Sequence, residues 1–185
     1  VLRDKKFSQA RKVLAHECGQ ALAKIHSVSL DSLTKVPRND PYQLFENLYL
    51  TYQQFKQPLP VFEYTFRWLK EQKFQEIEPT LVHGDFRLGN LIVNEEGLAA
   101  VIDWELVNIG NPIQDIGWMC VNSWRFGITE KIVGGFGDLE DLLQGYSSVS
   151  NLIIDQQEVK EWQVFGSLRW GVICLIQTYS HLNGP

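Results

Sequence analysis

Residues able to do chemistry crowd into two short stretches of this sequence. The first is His83-Gly84-Asp85-Phe86-Arg87-Leu88-Gly89-Asn90, and the second is Ile102-Asp103-Trp104-Glu105. Between them, Leu91-Ile92-Val93 and Leu98 to Ile102 read as short strands joined by the turn Asn94-Glu95-Glu96-Gly97. A turn centred near Glu96 sets residue 90 across from about residue 102. Asn90 and Asp103 then meet at the open end of the hairpin, and Asp85 enters at the same end. Three oxygen-bearing side chains on one spot suit a hard cation such as Mg²⁺. That ion takes one or two carboxylates and fills its shell with phosphates and water. Asn90, with an amide oxygen, and Asp103, with a carboxylate, are the candidate metal and cofactor-binding residues. Asp85 is the candidate catalytic base, able to take the proton of a substrate hydroxyl as that hydroxyl attacks a phosphate.

The neighbours of these residues carry two readings each. Arg87, inside the loop, offers a fork-shaped cation to a phosphate or an acidic substrate group, or else a salt bridge to a carboxylate such as Glu105. His83 completes the candidate catalytic set with Asp85 and Arg87. It reads more as a residue that fixes the loop by hydrogen bonds than as an acid or base. Glu105 assists a metal or caps a strand. Asp115, in the first turns of a helix, braces the loop or complements the helix dipole. Trp118, Trp124, Trp162 and Trp170 read as core or pocket wall. Arg125 and Arg169 lie beside aromatics and read as packing salt bridges more than as anion binders. His16, His26 and His181 read as isolated, solvent-facing or capping residues. Cys18, Cys120 and Cys174 form no CxxC pair and read as small buried hydrophobes.

Helices must position this centre. Apolar residues from Phe7 to Ile25 recur at spacings of three and four, which predicts one helix over 4–26. Asp40-Pro41 opens a second helix to about Phe55, and a third runs from about Pro60 to Phe74. Thr80-Leu81-Val82 is a short β-prone run leading into the loop. Residues 108–112 read as a loop, followed by helices over about 112–121, 138–147 and 155–182. Residues 132–138 form a glycine-rich loop. The fold class is α+β, mostly helical with a small central β-hairpin.

The D-x4-N spacing followed by a hairpin aspartate matches the phosphoryl-transfer template of protein kinases, with Asp-Trp-Glu where those enzymes carry Asp-Phe-Gly. The stretch from Leu81 to Trp118 resembles the aminoglycoside phosphotransferase and choline kinase-like family. It carries H-G-D-x-x-x-x-N, then I-D-W-E, then G-x-P-x-x-D completed by Gly110, Pro112 and Asp115. Leu22-Ala23-Lys24-Ile25-His26 resembles the family's helix ending in L-x-x-L-H. Trp124-Arg125-Phe126-Gly127 and Val133-Gly134-Gly135-Phe136-Gly137 resemble the branch that includes kinase-like domains fused to some acyl-CoA dehydrogenases. The resemblance implies a protein kinase-like fold and ATP- and Mg²⁺-dependent transfer of a phosphoryl group to a small-molecule hydroxyl. It implies Asp85 as base, Asn90 and Asp103 as Mg²⁺ ligands and Asp115 as a brace of the loop. Position 111, usually Asp in the family, is Asn here. The family's phosphate-covering loop, its Lys and the paired Glu have no counterpart in this sequence. Residues 1–185 are therefore expected to form a C-terminal lobe whose ATP-clamping N-terminal lobe is missing, inactive by itself.

The formal net charge of −5 speaks against nucleic acid as a partner. The longest apolar run, Trp170 to Ile176, is too short to span a bilayer, so no membrane role is expected and a cytoplasmic location is. The expected partners are a nucleotide, a small acceptor and a fused or associated acyl-CoA dehydrogenase. Among acceptors, a hydroxyacyl thioester or another metabolite is favoured over an aminoglycoside, because residues from Glu158 onward are not especially acidic. Two other readings stand beside this one: a metal-dependent phosphohydrolase, and a non-catalytic kinase-like binding module.

Overall fold

The computed structural model describes residues 1–184. Its N-terminal helix α1 (Ala10–His26) starts later than the apolar period predicts. A single 3-10 turn, Lys5–Phe7, precedes it, because the Asp4 side chain caps the Lys6 amide and closes a separate turn. Helix α2 (Pro41–Gln53) begins where Asp40 accepts a hydrogen bond from the Gln43 amide and Pro41 supplies its fixed φ. Helix α3 (Pro60–Glu71) stops short of Phe74. That ring instead packs against Phe45 and Trp162, at centroid distances of 5.2 and 5.3 Å, and so draws the chain out of the helical path.

Strand β1 (Thr80–Val82) leads into the loop from His83 to Asn90. Strands β2 (Leu91–Val93) and β3 (Leu98–Val101) form the expected hairpin, with a bulge between Ile92 and Val93. The Ile102 amide donates to Asn90 O at 3.0 Å, so residue 90 does face residue 102. The expected loop over 108–112 is partly a strand, β4 (Asn108–Gly110), which pairs antiparallel with β1. Pro37 and Asn39 exchange backbone hydrogen bonds with Ile109 and cover β4's other edge. The β structure is thus two short two-stranded sheets rather than one hairpin.

Helices α4 (Ile113–Met119), α5 (Leu139–Ser147) and α6 (Gln156–Asn183) complete the chain. Helices α1 and α5 touch backbone to backbone. A Cβ on Gly19 would collide with Leu142 O, and one on Gly145 with His16 O. This close approach brings the end of α1 under the loop. The main core joins α1, α2, α3, α4 and α6 around Leu22, Phe45, Phe66, Ile116 and Trp162, all nearly inaccessible to water. Among the described residues no helix is long and apolar enough to cross a membrane.

Candidate active site

Local backbone demands shape the loop after β1. Gly84 holds φ +82°, and a Cβ there would strike Leu106 O, so only glycine fits. The next residue, Asp85, is thereby turned inward. Its Oδ1 accepts from Trp118 Nε1 at 2.7 Å and its Oδ2 from Asn90 Nδ2 at 2.6 Å. Arg87 Nε lies 3.0 and 3.1 Å from the two oxygens. Arg87 therefore pairs with Asp85 and not with Glu105. Its guanidinium lies over the Trp124 ring, 5.0 Å from the centroid. Three donors on one carboxylate fix its plane.

A second carboxylate holds the loop from below. Asp115 is fully buried on α4, and its oxygens accept from the His83 and Gly84 amides, each at 2.8 Å. His26 Nε2 lies 3.3 Å from Asp115 Oδ2, and His26 Nδ1 lies 2.9 Å from the Tyr146 hydroxyl. A carboxylate only accepts, so Nε2 carries the proton; in the neutral ring Nδ1 then accepts from Tyr146. Burial, ahead of the nearby Asp115 charge, pushes the Tyr146 hydroxyl up to about 12, so it stays a donor. The sequence predicts an isolated, solvent-facing or capping His26; the structure instead buries it in this chain of contacts. Its signal is the Leu22-Ala23-Lys24-Ile25-His26 run that ends α1, which resembles the family's L-x-x-L-H.

His83 is inaccessible to solvent and both its ring nitrogens face backbone groups. Nδ1 accepts from the Asp85 amide at 3.2 Å, which leaves Nε2 to donate to Ile102 O at 3.1 Å. The imidazole ties the loop to the residue before Asp103. Asp103 itself is exposed, with φ +69°, and among the described residues its carboxylate takes part in no hydrogen bond or ion pair. The structure brings Asp85 and Asn90 into contact and leaves Asp103 beside them, open to solvent. Because Asn90 points its nitrogen at Asp85, its Oδ1 also has no donor among the described residues. An amide oxygen and a carboxylate free of donors fit a hard cation that completes its shell from phosphate and water. Among the described residues no group of three or more His, Cys, Asp or Glu closes on a metal-sized gap.

Two partners escaped the sequence reading. Trp118, read as core or wall, is a direct donor to Asp85. Arg169, read as a packing salt bridge, has no ion pair among the described residues. It donates to Gly84 O at 3.0 Å and stacks on Trp118 at 4.6 Å. Asn111 caps α4 by accepting from the Ile113 amide and donates to the buried Glu158, a role that an amide fills and a carboxylate would not.

The profile of the phosphotransferase enzyme family (APH) matches residues 2–152. Acyl-CoA dehydrogenase family member 10 of Mus musculus is 33% identical over 150 residues, covering 75% of this chain and 14% of that protein. A putative aminoglycoside phosphotransferase from Ralstonia eutropha superposes with a TM-score of 0.70 at 23% identity, over 90% of this chain and 55% of the other. The streptomycin-ATP-APH(2")-IIa ternary complex superposes with a TM-score of 0.62 at 19% identity, over 94% of this chain and 59% of the other. The chain thus spans a small part of that curated relative and little more than half of those solved chains. The fold is that of the kinase-like phosphotransferases, and the chain belongs to the phosphotransferase enzyme family.

Proposed function

We propose that this chain is the C-terminal lobe of an ATP-dependent small-molecule kinase, supplying the base and the metal ligands. The observation that carries this reading is the pairing of a fixed carboxylate, Asp85, with a free one, Asp103, at one end of the β2–β3 hairpin. Asp85 accepts the proton of the acceptor hydroxyl as its oxygen attacks the γ-phosphorus; the bond from that phosphorus to the nucleoside diphosphate breaks. Asn90 Oδ1 and Asp103 would hold Mg²⁺, which when bound offsets the charge of the phosphates. The exposed apolar face of Ile92 and Ile102, beside Asp103, offers a floor for a nucleotide base. ATP as donor agrees with the name of the ATP-bound neighbour.

All of Asp85's oxygen sites are engaged by protein donors, so one must yield before a hydroxyl can bind there. Arg87 is the one free to do so. Its side chain is 29% exposed, and a phosphate on the acceptor side would draw the guanidinium off Asp85. His83 and Asp115 act as positioning residues of the loop. A fused or associated acyl-CoA dehydrogenase is the partner the curated relative suggests.

The test is transfer of label from γ-³²P-ATP to hydroxylated small molecules in the protein that contains this chain. Asp85→Asn should lower the rate by about 10²–10⁴-fold with the fold intact, and omission of Mg²⁺ should abolish transfer. Transfer by Asp85→Asn at the unmodified rate would overturn the reading.

A further inference from the structure

A cavity of about 380 Å³ opens between α2, the 105–108 segment and α6. Leu44, Leu48 and Phe165 make its apolar walls, and Glu105, Asn108 and Arg169 supply charge and polarity. Asn108 stands against the loop from His83 to Asn90: a Cβ on Gly84 would lie 3.3 Å from its Nδ2. The cavity therefore borders the residue that precedes Asp85.

Arg169 is the feature of this wall that its surroundings do not explain. Arg169 is half-buried, and a guanidinium drawn partly out of water is commonly paired with a carboxylate, because desolvation of an unpaired cation costs free energy. Here burial is the chief influence on Arg169 and pulls its pKa down. The carboxylates whose fields reach it are Asp85 and Asp115. Both are committed elsewhere, to Arg87, Asn90 and Trp118 and to the His83 and Gly84 amides. Glu105 faces the same cavity without pairing to Arg169. Among the described residues the guanidinium spends one N–H on Gly84 O and lies over the Trp118 ring. It is oriented, yet its remaining donors have no acceptor among the described residues.

A second observation concerns the same wall. Gln114 Oε1 and Asn108 Oδ1 are buried and accept no hydrogen bond. Unmade hydrogen bonds of buried acceptors are costly. The Gln114 amide nitrogen likewise has no partner among the described residues, so the amide can turn end for end and offer its oxygen to the cavity. The wall thus carries a cation without an anion and acceptors without donors.

We propose that this cavity receives an acceptor bearing an oxyanion, either a carboxylate or a phosphate, gripped by Arg169, with its hydroxyl groups facing the amide side of the wall. This rests on the phosphotransfer reading for the meaning of "acceptor", but the binding site stands without it. A polycation of the aminoglycoside kind is a poor fit, because the guanidinium repels it at the point nearest the loop. Arg169 also becomes a specificity residue that reports to the base, since its stacking partner Trp118 is a donor to Asp85.

Calorimetric titration without nucleotide tests the site. The probes are 3-hydroxybutyrate for a carboxylate, glycerol 3-phosphate for a phosphate, and 1,3-butanediol as the uncharged counterpart of the first. At least one anion should bind about tenfold or more tighter than the diol, and which one identifies the oxyanion. Arg169→Met should abolish that preference, and Arg169→Lys should restore part of it, since charge returns without the planar fork. The same preference in Asp85→Asn would leave the site standing even where phosphoryl transfer fails. Equal affinity for the diol and both anions, or a folded Arg169→Met that keeps the preference, would overturn the proposal. Should Arg169→Met not fold, the comparison of anions with the diol in the unsubstituted protein decides alone.

Discussion

The carboxylate of Asp85 accepts hydrogen bonds from three side chains, whereas that of Asp103, beside the same hairpin, accepts none among the described residues. The difference follows from what each group is proposed to do. A base must be aimed before its substrate arrives, so fixed donors hold it and lower the cost of orientation. A metal ligand must keep its lone pairs free, because an N–H and a cation compete for the same electrons. Asn90 divides itself between the two regimes. Its nitrogen serves Asp85 and its oxygen is left open.

Stability measurements can break this comparison. Asp115→Ala removes the acceptor of two buried amides and of His26, and should cost about 3 kcal/mol in urea unfolding. Asp103→Ala should move stability by less than about 0.5 kcal/mol while removing phosphoryl transfer. Similar losses of stability at the two positions would mean that Asp103 is a structural residue and that the division is wrong. A smaller effect sharpens the lower half of the site. Tyr146→Phe deletes one hydroxyl and leaves His26 Nδ1 without its partner, at a cost of about 1 kcal/mol. An unchanged unfolding midpoint would show that the chain of contacts under the loop ends at His26.

The smallest effect extends the contrast of held and open groups beyond the site. Cys18 and Cys120 are buried, and Cys174 is exposed. Burial pushes the Cys120 thiol up to about 12, against a minor opposing pull from Arg125, and pushes Cys18 up further. Thiolate is the reactive form, so iodoacetamide at about pH 8 should label Cys174 in the folded protein and all three cysteines after denaturation. Rapid labelling of Cys120 in the folded state would mean that the packing of α4 opens readily.

Much of this architecture is legible in the residues. The hairpin register follows from a turn at Asn94–Gly97, and the starts of α2 and α6 follow from Asp40 and Asp155, which both cap as expected. The loop from His83 to Asn90 carries its own spacing. What stayed hidden depends on partners distant in sequence. Strand β4 is three residues long and bordered by Gly-Asn-Pro, so its local pattern is that of a turn; only β1 makes it a strand. The burial of His26 comes from the glycine-mediated contact of α1 with α5, which no helical period encodes. Trp118 and Arg87 have ordinary alternatives in sequence, and only the folded chain brings both to Asp85.

The contacts beneath the loop carry a consequence for the order in which the fold assembles around Asp85. Tyr146, His26, Asp115 and His83 come from four separate elements, and the link from His26 to Tyr146 closes a circuit of 120 residues. Such long closures are entropically expensive and form late. A chain that has assembled only its local hairpin would carry Asp85 and Asn90 on an unanchored loop. The proposed base is thus aimed only once α1 and α5 have docked on each other, and an incompletely folded chain would hold its carboxylate in no fixed direction.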